Sequence, residues 1–243
     1  MDISFGPDRL AAVSGVAKQI SQATRSGYAA GLWVDEIHKD LIFERNLHAR
    51  NNRDKGGLEK YTQSLRDRHL AIGPTWSWPG HRGGRPKLES ECKQLDITTN
   101  KDGENLFGQV SRGTLTVTAK MTSVADIAAL HDGDDVELIK KVPSSPEYGP
   151  QDACGIKWNW DVDNAGTPSH FADEILVIAL SSYLYARSDI RNMWGLMVYP
   201  AEKLGEYYRI GSFQAEAAGK GEEGEGTGLL MAEEWKGRSI VII

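Results

Sequence analysis

Thr114-Leu115-Thr116-Val117-Thr118-Ala119-Lys120-Met121 alternates a polar with an apolar side chain at every step. Period two places all the apolar groups on one face of an extended chain, the pattern of a strand with one side in a core and the other in water. Ile156, Trp158, Trp160 and Val162 repeat it with larger side chains against Lys157, Asn159 and Asp161. Ile175 to Leu180 is continuously apolar and suits a strand covered on both faces. Trp194 to Tyr199 and Tyr207 to Phe213 read as a strand pair around Pro200-Ala201-Glu202, and Ser239 to Ile243 as a short terminal strand. Turn signals separate these runs at Gly103, Asp132-Gly133 and Asn164-Ala165-Gly166, and in the Gly/Glu-rich stretch from Gly219 to Gly228.

The first 43 residues carry a different period. Leu10, Val13, Val16/Ala17 and Ile20 recur at three and four, which predicts an amphipathic helix over Asp8 to Thr24. Tyr28 to Phe43 is a second hydrophobic unit of helical or mixed character. Glu44 to Arg68 then carries seven Lys/Arg and four Asp/Glu with Gly and Asn breakers, which reads as a solvated insertion. Leu58, Tyr61 and Leu65 are spaced for a short helix inside it. The expected architecture is α+β and β-rich: an N-terminal helical segment (1–43) packed on a twisted antiparallel sheet, sandwich or barrel (73–243). An insertion loop (44–72) and a flexible Gly/Glu-rich loop (217–228) complete it. One domain is expected over 1–243, because the N-terminal apolar units are too small to bury themselves alone.

The 243 residues carry a net charge of −6, with 28 basic and 34 acidic side chains. This argues against non-specific nucleic-acid binding, which needs a basic footprint. The longest apolar run is too short to cross a bilayer, and no apolar signal core follows Met1. Cys92 and Cys154 form no Cys-x-x-Cys pair, so no structural zinc site is implied. Two thiols far apart fit a reducing compartment, the cytoplasm or the nucleus.

Pro74-Thr75-Trp76-Ser77-Trp78 sets two indoles two apart. Each buries about 150–250 Å² when packed, so the pair is a core anchor or an exposed recognition surface. Gly80-His81-Arg82-Gly83-Gly84-Arg85-Pro86-Lys87 follows after Pro79. Its backbone amides with Arg82 and Arg85 have the chemistry to hold a phosphate or carboxylate. Trp76, Trp78, His81, Arg82 and Arg85 are therefore the candidate ligand-binding residues. No catalytic residue, metal ligand or cofactor is assigned. No Gly-x-Ser-x-Gly or His-Glu-x-x-His motif occurs. Asp161 to Gly166 fails as a calcium loop at Ala165 and Ala172. Cys154 with His170 and Asp173 is a thiol triad only on paper, and Glu202, Glu206 and Asp173 are acid/base pairs only if the fold gathers them.

Several blocks, in order, resemble the region that follows the heterokaryon-incompatibility (HET) domain in large fungal proteins. Asp8-Arg9-Leu10-Ala11-Ala12-Val13-Ser14-Gly15-Val16-Ala17 is similar to that region's first helix, and Tyr28-Ala29-Ala30-Gly31-Leu32-Trp33 to its Tyr-Leu-Ala-Gly-Leu-Trp. Leu41-Ile42-Phe43 stands for its Leu-Leu-Trp, and Pro74-Thr75-Trp76-Ser77-Trp78 for its Pro-Ser-Trp-Ser-Trp. Gly195-Leu196-Met197-Val198-Tyr199-Pro200 and Tyr208-Arg209-Ile210-Gly211-Ser212-Phe213 resemble two late blocks. Pro79-Gly80 departs from the usual Ala-Ser. The defining HET domain would lie upstream of Met1, so its activity transfers to no residue here.

The resemblance implies a non-enzymatic accessory module, acting through a protein partner or a HET-type domain in non-self recognition or in control of an effector. The alternative is a small ligand-binding protein or enzyme with a Trp-floored, Arg-rimmed anion or nucleotide pocket. A third expectation is a truncated gene product with no role of its own.

Overall fold

A computed structural model describes residues 8–42, 57–69, 74–77, 89–101, 107, 110–129, 156–161, 171–184, 191–217 and 235–243. Helix α1 spans Asp8–Thr24. Strands β1 (Tyr28–Ala29) and β2 (Leu32–Trp33) form a small hairpin, followed by a 3-10 turn at Val34–Glu36 and helix α2 at Ile37–Asp40. Helix α3 is Gly57–His69. Strands β3 (Glu89–Ser90), β4 (Gln94–Lys101) and β5 (Val110–Ser123) lead into helix α4, Val124–Ala129. Strand β6 (Ile156–Trp160) and helix α5 (Phe171–Glu174) precede β7 (Leu176–Leu184), β8 (Arg191–Pro200), β9 (Glu206–Ala217) and β10 (Lys236–Ile242). The chain is α+β and β-rich, with β3 to β10 in one sheet.

The sheet closes on itself. β7 pairs β8, β8 pairs β9 and β10 pairs β5, all antiparallel. β9 meets β10 in a parallel contact of two residue pairs. β5 then returns to β7 through Met121↔Ile178, Thr122↔Val177 and Ser123↔Leu176. The ring β5-β7-β8-β9-β10 is a five-stranded barrel. Closure removes sheet edges that would otherwise present unpaired backbone groups.

The alternation decides what fills it. Leu115, Val117, Ala119 and Met121 of β5 face inward with Leu176, Ile178 and Leu180 of β7, Leu196 and Val198 of β8, and Ile240 and Ile242 of β10. Leu32, Ile37, Leu41, Ile42 and Trp76 extend the same core. A second core lies on the outer face of β7, β8 and β9. There Val177, Ala179, Met193, Met197 and Phe213 pack with Trp158 and Trp160 of β6, Leu58, Tyr61 and Leu65 of α3, and Ile127 of α4. Ile175 to Leu180 is thus buried on both faces, since β7 belongs to both cores. The absent side chain of Gly195 lets β7 and β8 approach. A Cβ there would collide with the Ile178 carbonyl and stand 2.5 Å from Phe213 Cε1.

Two segments depart from the sequence reading. In α1, Leu10 and Ala17 are buried, but Val16 is 61 % and Ile20 42 % exposed. The helix is rotated so that the line Leu10, Ser14, Ala17, Ser21 turns inward. At about 100° per residue, that line lies roughly a quarter-turn from the larger aliphatic groups. In the stretch expected as a solvated insertion, the short helix expected at Leu58, Tyr61 and Leu65 is there, over 57–69, but those three side chains are at most 3 % exposed and not solvated. Three apolar groups on one turn-aligned stripe outweigh the charge around them.

Tyr28-Ala29-Ala30-Gly31-Leu32-Trp33 is a two-residue hairpin. Ala30 and Gly31 hold φ of +49° and +96°, as such a turn requires. Tyr28 and Trp33 face each other across it with ring centroids 5.1 Å apart.

At two places a strand changes partner, and a residue outside the ladder fills the seam. Along one edge of β9, β10 covers Glu206 and Tyr207, and β6 covers Gly211 to Ala215. Between them the Arg209 amide donates to Thr75 Oγ1 (3.0 Å), and the Asp161 amide donates to the Ile210 carbonyl (2.9 Å). Thr75 also donates its amide (3.1 Å) and its hydroxyl to the Ile243 carbonyl oxygen. Along β7, β5 gives way to β3, and the Glu91 amide donates to the Leu180 carbonyl (2.9 Å) between them.

Replacing Thr75 by valine removes a donor and an acceptor at the first seam while keeping the volume. We expect a loss of about 2 kcal/mol in urea unfolding, with Thr75→Ser retaining most of the stability. Equal stability of all three proteins would show that the seam contributes nothing.

Candidate functional site

The tryptophan motif does not face solvent where it is described. Trp76 is fully buried, and Pro74 Cγ and Trp76 Cζ2 lie 2.8 and 3.0 Å from where a Cβ on Gly113 of β5 would be. Its indole N–H has no acceptor among the described residues, so burial of the ring is what fixes it. Trp78, His81, Arg82 and Arg85 lie outside the described residues, as do Cys154, His170 and the 217–228 loop apart from Ala217 at the end of β9.

Beside the motif lies a buried ion pair. Arg209 is cross-strand from Val198 and shares its inward face. Its Nη2 is 3.6 Å from Asp161 Oδ1, with the two side chains 0 % and 1 % exposed. Asp161, the first residue of the rejected calcium loop, therefore meets a guanidinium. Removing one partner leaves a charge in the core, at a cost of about 3–5 kcal/mol. We expect Asp161→Asn to lower stability by several kcal/mol. Arg66→Ala, at an exposed pair, should cost less than about 1 kcal/mol. Urea midpoints compare them directly.

A groove of about 500 Å³ opens on the outer face of the sheet. Glu59, Lys60, Thr62, Gln63 and Arg66 line one side of it, and Phe171 and Tyr199 the other. Helical geometry explains the first wall. Leu58, Tyr61 and Leu65 turn into the core, so Glu59, Thr62, Gln63 and Arg66, at i, i+3, i+4 and i+7, form a stripe that borders the opening. Phe171 begins α5 and Tyr199 is the last residue but one of β8, and their rings pack 5.2 Å apart at 41°.

The charged groups of this region hold one another. Glu202, in the β8–β9 turn, pairs through Oε1 with Arg66 Nε and accepts the Tyr208 hydroxyl at Oε2 (2.7 Å). Arg66 Nη1 donates to Gln63 Oε1 (3.1 Å). The Glu174 carboxylate lies close enough to the Tyr199 phenol to act on its proton. Burial first, then these carboxylates, push both phenols well above the usual tyrosine range, so they remain protonated donors. Glu202 and Glu206 take different partners, since Glu206 pairs with Lys203 at 2.7 Å, and Asp173 is exposed. The fold thus engages Glu202 and Glu206 with a hydroxyl and cations.

Cys92 fills the seam of β7, with Sγ 3.6 Å from the Leu180 and 3.8 Å from the Ala179 carbonyl oxygen. Burial and then the neighbouring Glu91 charge push its thiol up to about 12 from 9.0, against a lowering by Ser90. A thiol so placed is a poor nucleophile. The unfolded chain loses this proton first as pH rises past 9.0, so Cys92 subtracts stability between there and about 12 and is neutral below. We expect a Cys154→Ser protein to resist iodoacetamide at pH 8 until it is unfolded. Rapid native labelling would place Cys92 elsewhere.

Among the described residues, no three His, Cys, Asp or Glu side chains gather as a metal site, and no helix is long and apolar enough to cross a membrane. Sequence reasoning missed the groove. The helical spacing of Leu58, Tyr61 and Leu65 implies the polar stripe, but nothing local says that it meets Tyr199. Comparison with protein-family models, with curated proteins and with solved structures finds no match to this chain.

Proposed function

We propose that the chain is a non-enzymatic interaction module that recognises a protein partner through the α3 groove. Its blocks resemble those that follow a HET domain, and the natural reading of that likeness is an accessory role beside such a domain, in non-self recognition or effector control. One observation supports it most: the charged and phenolic groups around the groove are fixed by one another. Glu202 is held by Arg66 and Tyr208, and Arg66 in turn by Gln63. Groups held in place lose little freedom on association, which favours recognition. Tyrosines with raised pKa and carboxylates already accepting hydrogen bonds are poorly suited to move protons near neutral pH.

The purified chain, mixed with a separately produced HET domain, is expected to form a stoichiometric complex on size-exclusion chromatography. Replacing Arg66 and Glu59 together with alanine should weaken that complex. Turnover of a generic ester, phosphoester or nucleotide substrate, abolished by one substitution in the groove, would reject the reading in favour of an enzyme.

A further inference from the structure

Every residue of the turn between β8 and β9 but one has a structural task. Ala201 packs against the outer core, and its amide donates to the Glu206 carbonyl (2.9 Å). The Glu206 amide donates to the Lys203 carbonyl (3.0 Å), and the two side chains pair at 2.7 Å. Gly205 takes the positive φ of +84° that the reversal needs, and its carbonyl accepts the Val241 amide of β10 at 3.1 Å. Glu202 is engaged by Arg66 and Tyr208. Leu204 stands at the apex among these groups and is 101 % exposed. Among the described residues, the other exposed large apolar side chains, Val16, Ile20 and Val34, each keep part of their surface covered. Scattered apolar side chains on a surface need no special cause. A leucine with no covered surface, on a turn hydrogen-bonded on both sides, adds nothing to the fold, and a polar residue would be better solvated there.

We infer that Leu204 is an anchor for a partner protein and inserts into an apolar pocket of leucine size on that partner. Its place supports this. Glu202, two residues before it, pairs with Arg66 in the wall of the α3 groove, so a protein seated on the groove has the turn at its margin. Its rigidity supports it too. A side chain presented on a hydrogen-bonded turn gives up little backbone freedom on association, so more of its burial appears as affinity. A lipid surface is the other apolar acceptor for such a tip. One leucine buries too little for stable anchoring, and Glu202 and Glu206 against Lys203 leave the turn net acidic, which anionic headgroups repel. This inference rests on the binding role proposed above and names what the partner must offer.

The test is a calorimetric titration of the full chain with the separately produced HET domain. Leu204→Asn is expected to weaken the complex about tenfold, the scale of an apolar side chain left unburied. Leu204→Met should keep the affinity within about twofold. Both variants should melt at the wild-type temperature. A complex that Leu204→Asn leaves unchanged overturns the inference while the interaction role stands. The lack of any complex with the unaltered chain removes both. A lower melting temperature in Leu204→Asn would overturn it by showing that the side chain serves the fold. Pelleting with phosphatidylcholine/phosphatidylserine vesicles, lost in Leu204→Asn, would overturn it by assigning the tip to a membrane.

Discussion

The barrel closes on very little backbone pairing. Between β9 and β10 only Glu206 and Tyr207 find ladder partners, and the next stretch of the β9 edge would be bare without Thr75 and Asp161. Buried backbone groups must find partners, because each one left unsatisfied costs on the order of a hydrogen bond. A single threonine solves this where a full strand cannot fit. It spans from the Ile243 carbonyl to the Arg209 amide, and its neighbour Trp76 drops into the barrel against Gly113. The tryptophan motif is therefore part of the closure as well as part of the core.

The same seam places Arg209 and Asp161 together. Once β9 passes from β10 to β6, the end of β6 brings Asp161 beside the guanidinium that β9 carries inward. A buried pair of this kind adds little net stability, but its loss leaves an uncompensated charge in the core. It penalises other pairings of β6 with β9, since a one-residue slip would turn Asp161 to the opposite face. The exposed Arg66–Glu202 pair on the outer face has a different role. It costs little to make or break, and it links α3 to the β8–β9 turn where the groove opens without fixing one against the other.

Much of this was legible locally. The alternations in 114–121 and 156–160 became strands with the expected faces inward, and Ile175 to Leu180 became a strand buried on both sides. Asp8–Thr24 is a helix, but its rotation was not legible, since Leu10 and Ala17 rather than Val16 and Ile20 meet the protein. Periodicity reports which residues share a face, and packing against a neighbour selects among overlapping faces. Tyr28 to Phe43, expected as helical or mixed, is mixed where it is described: a hairpin turning at Ala30-Gly31, then a 3-10 turn and helix α2.

By itself the sequence determined element type, the buried faces of the strands and the burial of large apolar groups, because these follow from side-chain period and transfer from water. Tertiary structure alone decided that the sheet closes, that Thr75 reaches Ile243 across 168 positions, and that the polar stripe of α3 faces Tyr199. Those depend on which distant strand edges meet. Partner choice between edges is set by the summed packing of the whole barrel, which no local window of residues contains.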